Sequence, residues 1–87
     1  MSNPALKVSE WDQLHDEWAA KEGGRQDAWQ EYLRLSGIVT TKQAAVLRGY
    51  QEASPTMEDL DRVHEAKRRW EAISRELAEL SERMTRV

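Results

Sequence analysis

The last third of the chain, residues 56–87, places the tightest constraint on the fold. Apolar side chains recur there at alternating steps of three and four residues, the a/d pattern of a helix that packs lengthwise against another helix. At about 1.5 Å per residue, this helix would be about 45 Å long. The repeat consists of Val63, Ala66, Trp70, Ile73, Leu77, Leu80, Met84 and Val87.

The composition agrees with a helical chain. Phe is absent, Gly and Pro number only four and two, and hydrophobic residues make up 39% of the 87 positions. This apolar content is sufficient for a small core, and the helix-forming residues are plentiful. We therefore predict a single all-α domain, either a small helical bundle or a helical hairpin, in which the long C-terminal helix carries the heptad seam.

The N-terminal part of the chain has one ambiguous point. Residues 1–8 are predicted to form a flexible arm, and Ser9 is a good N-cap for a first helix. Gly23-Gly24 then interrupts the apolar face of this helix, and each mid-helix Gly costs about 1 kcal/mol relative to Ala. We predict a break there, with one continuous helix over 9–36 as the alternative. The interrupted face consists of Trp11, Leu14 and Trp18.

Capping signals divide the middle of the chain. Gly37 fits the left-handed position that follows a helix C-terminus, so a helix is expected to end there. Thr40 precedes a further predicted helix over 40–53, which Ser54-Pro55 would terminate. Thr56 and Asp59 form a capping box for the long C-terminal helix. The apolar residues offered by the segment 25–36 are Ala28, Trp29, Tyr32, Leu33 and Leu35.

The possible break at Gly23-Gly24 decides whether the C-terminal seam needs a partner. One continuous N-terminal helix would cover most of the seam within the chain. A chain folded back at the two glycines would leave the far end of the seam bare, and an exposed apolar stripe normally marks a protein partner. We therefore predict partner-binding residues on the two candidate faces. They are Trp70, Ile73, Leu77, Leu80 and Met84 of the seam, with Trp11 and Trp18.

A second copy of the chain is one candidate for that partner. In a parallel in-register pair of C-terminal helices, Arg62 of one copy would face Lys67 of the other, which is repulsive. Trp70 is also bulky for an a position in a two-stranded coil. These features disfavour a parallel zipper and leave an antiparallel pairing open, either within one chain or between two.

Charge and residue types argue against several classes of function. Thirteen bases against 16 acids give a net charge of −3, without the basic excess typical of nucleic-acid binders. No stretch is apolar enough for a membrane span or signal peptide, and Cys is absent, which favours a cytoplasmic protein. Neither Asp12-His15-Asp16 nor His64 has the further ligands of a metal or catalytic site. We expect no catalytic residues, metal, cofactor or small-molecule substrate.

Residues 41–49 resemble the first helix of the helix-turn-helix family through their Thr-x-x-x-Ala-Ala-x-x-x-Gly-like spacing, and residues 54–57 resemble the start of its recognition helix. The resemblance implies a small DNA-associated regulator that uses residues 40–70. However, Glu58, Asp59 and Asp61 would lie where phosphates approach. The preferred prediction is therefore a non-catalytic interaction module, a small adaptor, assembly or inhibitor protein that presents an apolar helical face to another protein or to itself.

Overall fold

The chain folds into an antiparallel helical hairpin. The computed structural model describes residues 4–86 and the side-chain environments from Val8 to Arg86. Helix α1 spans Pro4–Leu47, a 3-10 turn spans Gln51–Ala53, and helix α2 spans Met57–Arg86. The described part contains no strand and extends over 71 × 15 × 14 Å. The prediction of an all-α hairpin with a long C-terminal helix is confirmed.

Two ion pairs, one beside the turn and one further along the helices, show how α1 and α2 are aligned. The Lys21 Nζ lies 2.8 Å from the Glu76 Oε2, and the Lys42 Nζ lies 2.6 Å from the Asp59 Oδ2. Residues later in α1 therefore pair with residues earlier in α2, so the two helices are antiparallel. Between these points, the rings of Trp29 and Trp70 pack with their centroids 5.1 Å apart.

The predicted break at Gly23-Gly24 is wrong, because α1 passes through both glycines without interruption. A heptad repeat continues through the two glycines, but polar residues occupy several of its seam positions. Lys21 and Arg25 are half-buried there, and they form ion pairs with Glu76 and Glu22. The repeat runs through Leu14, Trp18, Lys21, Arg25, Ala28, Tyr32, Leu35, Val39, Lys42 and Val46.

The predicted helix end at Gly37 and the separate helix over 40–53 are also wrong, because α1 continues to Leu47. Gly49 follows in the turn that terminates the helix, and its φ of 102° is a conformation that favours glycine. The Gly49 N–H donates to the Val46 carbonyl at 2.9 Å, and the Tyr50 N–H donates to the Ala45 carbonyl at 3.1 Å. These two bonds form a Schellman ending twelve residues beyond the predicted one.

At the other end of the chain, residues 4–8 lie in the first turns of α1 rather than in a flexible arm. Proline suits the first turn of a helix, where its missing N–H has no intrahelical partner to lose, so Pro4 is compatible with this start. Residues 1–3 of the predicted arm lie outside the described residues.

The predicted capping box at the start of α2 is present. The Thr56 Oγ1 accepts from the Asp59 N–H at 3.1 Å, and the Asp59 Oδ2 accepts from the Thr56 N–H at 2.9 Å. The same carboxylate binds Lys42 of α1, so one side chain caps α2 and joins it to the opposite helix. The Lys42 ammonium, with help from Thr56, lowers the pKa of Asp59 to about 2 from its ordinary 3.8.

The core of the hairpin is a single seam between two helices. Its buried side chains come from both helices and are all small or aliphatic, and among the described residues no large side chain is completely enclosed. The thin cross-section explains this, because every residue in a two-helix hairpin lies near the surface. The buried set is Leu14, Ala28, Leu35, Val39, Ala66, Leu77 and Leu80.

We expect Gly24→Ala and Gly49→Ala to have opposite effects on stability. A Cβ at Gly24 would lie 4.0 Å from the Ile73 Cδ1, an ordinary contact, so alanine should raise the free energy of unfolding by about 1 kcal/mol. At Gly49 the positive φ is unfavourable for any residue with a side chain, so alanine should lower the free energy of unfolding by about 1–2 kcal/mol. Urea unfolding measures both, and a loss of stability in Gly24→Ala would contradict the continuous helix.

Asp59 should give the fold a distinct acid sensitivity. Its folded pKa of about 2 lies below the ordinary 3.8, so its contribution is fully present above about pH 4 and is lost as the pH falls through about 2. Asp59→Asn should therefore flatten the pH dependence of unfolding over this window, and the exposed neighbour Asp61→Asn should not. Some acid dependence will remain, because Arg25 lowers the pKa of Glu22 and Arg34 lowers that of Glu31. Identical pH profiles for Asp59→Asn and the wild type would exclude this role.

Candidate interaction surface

The C-terminal seam residues predicted to bind a partner pack against α1. Leu77 and Leu80 are buried, and Trp70, Ile73 and Met84 are half-buried. The seam was assigned to a partner because a folded-back N-terminal helix would leave it bare, and the continuous α1 removes that premise. A partner role for these five residues stays a prediction, and it would require a protein that adds to the rim of the seam or separates the helices.

Trp11 and Trp18 lie with His15 near the open end of the hairpin. The His15 ring stacks on Trp11 with centroids 5.0 Å apart and on Trp18 with centroids 6.3 Å apart. These rings and α2 form a shallow groove of about 440 Å³, whose α2 side is made by Ser81, Met84 and Thr85. Trp11 is 41% exposed, so the groove presents an aromatic surface to solvent.

The local histidine clusters show no metal-binding arrangement. His15 stacks between two indole rings, and the backbone carbonyl of His64 accepts a long 3.4 Å bond from the Arg68 Nε. Within residues 4–86, no three His, Cys, Asp or Glu side chains are grouped so that they could hold a metal ion.

A second aromatic cluster lies at the middle of the hairpin. Trp29 contacts Tyr32 with ring centroids 5.5 Å apart and Trp70 of α2 with centroids 5.1 Å apart. The two indoles border a groove of about 310 Å³ whose remaining walls are Arg25, Gln26 and Gln30. Trp29 remains 41% exposed, so α2 covers only part of its surface.

Arg25 gives this groove a polar edge. Its Nη2 lies 2.6 Å from the Glu22 Oε1, and this contact lowers the pKa of Glu22. The buried Nε of the same guanidinium has no protein acceptor, and the buried Oγ of Ser74 on α2 likewise has no hydrogen-bond partner. A buried polar atom without a hydrogen-bond partner lowers stability, so these two atoms make the centre of the seam less stable than full hydrogen bonding would.

The surfaces of α1 and α2 that point away from the hairpin differ sharply in charge. Fifteen of the 30 residues of α2 are charged, whereas residues 26–41 of α1 include three charged residues among 16. We call the side of α1 that faces away from α2 its outer face. It consists of eleven exposed residues, Ala19, Ala20, Gly23, Gln26, Asp27, Gln30, Leu33, Arg34, Gly37, Thr40 and Thr41.

Large apolar side chains on and beside the outer face are open to solvent. Leu33 is 50% exposed on the face itself, and Trp29 and Ile38 at its two edges are 41% and 38% exposed. Residues that a lone hairpin had to hide would lie in its seam, and these do not. The outer face of α1 is therefore the best candidate for an interaction surface.

Sequence reasoning missed this surface because it grouped Trp29 and Leu33 with the other apolar residues of the segment 25–36 and did not separate the two sides of the helix. The phase of the seam could have shown otherwise. Counting in heptads from Leu14 through the glycine pair puts Ala28 and Leu35 in the seam and turns Leu33 outward. The assumed break at Gly23-Gly24 prevented that count.

The region that resembles a helix-turn-helix adopts another geometry. Helices of that family cross at about 90–120°, which leaves the second helix free to enter a groove of DNA. Here α2 folds back antiparallel along α1, and Asp59 in its first turn is bound to Lys42. The start of α2 therefore lies beside α1, where Asp59 binds Lys42, rather than at the tip of a projecting helix.

Comparisons with protein-family models, with curated proteins and with solved structures find no match to this chain. Neither described helix contains a segment that is both long enough and apolar enough to cross a membrane. Inference about function therefore rests on the geometry and chemistry of the hairpin.

Leu77→Asp should unfold the hairpin or weaken it by about 3 kcal/mol or more, because it places an unpaired charge at a site that is 6% exposed. Ala78→Asp, at the next and exposed position, provides the matched control and should have little effect. Thermal unfolding followed by circular dichroism compares the two variants. Equal melting temperatures would show that Leu77 is not part of a packed seam.

Proposed function

We propose that this chain is a non-catalytic protein–protein interaction module, a small adaptor, assembly or inhibitor protein of the cytoplasm. In this proposal the seam between α1 and α2 builds a rigid hairpin, and the outer face of α1 binds another protein or a second copy. The two helices thus have different tasks, since α2 supplies a charged surface that remains in water and α1 supplies the surface that binds.

The exposure of Trp29, Leu33 and Ile38 on a weakly charged helix face is the observation that supports this function. Burial of such a side chain contributes about 1.5–3 kcal/mol relative to leaving it exposed. Three of them can therefore offset part of the cost of association, and Trp is enriched among the residues that dominate binding energy. A face that served only to solubilise the hairpin would resemble α2, where half of the residues are charged and both signs are present.

The neighbouring polar residues suit the rim of such an interface. Asp27 and Arg34 flank the apolar centre on one side, and Gln26 and Gln30 provide uncharged donors and acceptors close to Trp29. Rim charges contribute little affinity but set orientation and association rate. The groove between Trp29 and Trp70 gives the partner a recess in which one side chain can be buried.

Leu33→Asp should abolish complex formation while leaving the hairpin folded, because it places a charge at the centre of the outer face and outside the seam. The test combines size-exclusion chromatography with light scattering of the purified chain and quantitative affinity capture from host lysate, each repeated with Leu33→Asp. Ala78→Asp on the outer surface of α2 controls for the added charge.

Complexes of defined stoichiometry that persist in Ala78→Asp and disappear in Leu33→Asp would support the function. Unchanged melting temperatures in both variants would show that folding is intact. Complexes that survive Leu33→Asp undiminished, or the absence of any complex with the wild type, would contradict an interaction module that uses this face.

A further inference from the structure

We propose that the outer face of α1 binds a second copy of this chain in antiparallel orientation, with a two-fold axis passing beside Gln30 and Glu31. The product is a dimer of hairpins, in which the two α1 helices are central and the two α2 helices are peripheral. This inference rests on the proposed function and assigns its partner.

The charges of the outer face carry the argument for a second copy. Asp27 and Arg34 are the two charged residues among the eleven positions of the face, and they lie seven residues apart along the same side of the helix. A two-fold axis midway between them places Asp27 of each copy against Arg34 of the other. The dimer therefore contains two equivalent Asp27–Arg34 ion pairs between the copies, which is the self-complementarity that a two-fold interface requires.

Both side chains are available for these pairs. Asp27 is exposed and forms no ion pair with any described residue. The Arg34 side chain is 61% exposed, and its Nε and Nη2 donate to the two carboxylate oxygens of Glu31 at 3.0 and 2.6 Å, which leaves three of its five N–H donors for another acceptor. Arg34 can therefore bind Asp27 of a second copy and keep its contact with Glu31.

The same axis also pairs the apolar residues. It brings Trp29 of one copy within one residue, about 1.5 Å of helix rise, of the level of Leu33 of the other, on the side of the interface opposite to the ion pairs. It also brings Ile38 level with Gly23, where no described atom lies within 4 Å of a would-be side chain. Uncharged residues such as Gln30 lie close to the axis, where two side-chain amides can bond to each other.

The charge pattern also selects the orientation. In a parallel in-register pair, the two-fold axis runs along the helices, so the edge that carries Asp27 and Arg34 would lie against the apolar edge of the other copy and neither charge would meet its opposite. The outer surface of α2 offers a worse alternative, because half of that helix is charged. An antiparallel contact between the two α1 helices is therefore the arrangement that buries the apolar face and pairs both of its charges.

The size of the contact sets the expected affinity. The outer face runs from Ala19 to Thr41, which corresponds to about 33 Å of helix and places the interface at the small end of the specific range. We expect a dissociation constant of about 1–100 µM, which the dimer would show as a concentration-dependent mass.

Charge reversal tests the arrangement. Asp27→Arg should set two arginines against each other twice per dimer, and Arg34→Asp should set two aspartates against each other twice. Each should weaken the dimer by about tenfold or more at low salt. The double variant Asp27→Arg/Arg34→Asp should recover wild-type association, because it restores both pairs with exchanged partners.

A mixture of the two single variants gives the sharpest result. The Asp27→Arg copy carries two arginines on its face and the Arg34→Asp copy two aspartates, so the antiparallel dimer can form between them but is disfavoured within each. Sedimentation equilibrium should show at least about tenfold tighter association in the equimolar mixture than in either variant alone. Far-UV circular dichroism of each variant verifies that the hairpin is folded.

Three outcomes would overturn the inference. A wild-type chain that remains monomeric up to about 1 mM excludes self-association of any relevant strength. If the single reversals leave the dimer unchanged, it uses another face. If they weaken the dimer and neither the double variant nor the mixture restores it, the antiparallel orientation is excluded. If the chain is monomeric but a complex with a foreign protein is still lost in Leu33→Asp, the second copy is wrong while the interaction function stands.

Discussion

The uninterrupted seam between α1 and α2 is the constraint on which the rest of the molecule depends. Neither helix has enough apolar surface to be stable alone in water, and each buries its stripe only against the other. Because the seam uses one side of α1 for its whole paired length, it fixes which residues face solvent on the opposite side. The composition of the outer face is therefore a consequence of how the seam is phased.

The parts of the fold that were predictable from sequence are those governed by short-range chemistry or by an unbroken apolar repeat. The repeat from Val63 to Met84 contains no polar member, so α2 could be read directly. The Thr56–Asp59 capping box depends on two residues three positions apart, and its geometry is almost independent of the surrounding fold.

The errors arose where packing along the seam outweighed local preference. Two helical glycines cost about 2 kcal/mol together, and contacts with α2 along the length of α1 offset this, so propensity alone predicted the wrong break. Lys21 and Arg25 concealed the repeat because long charged side chains at seam positions look like a solvent face in sequence. The outer face was missed for the same reason, because it can be identified only by continuing the heptad count through these residues.

The lysines at the seam have a consequence for how the two helices find one alignment. A heptad repeat by itself permits α2 to slide along α1 by seven residues with its apolar stripe still covered. Such a slide would replace Glu76 opposite Lys21 with Arg69 or Arg83, depending on its direction. Each misaligned hairpin would therefore place Lys21 opposite an arginine. A lysine at this seam position buries less apolar surface than an apolar residue would, but it disfavours the shifted alignments.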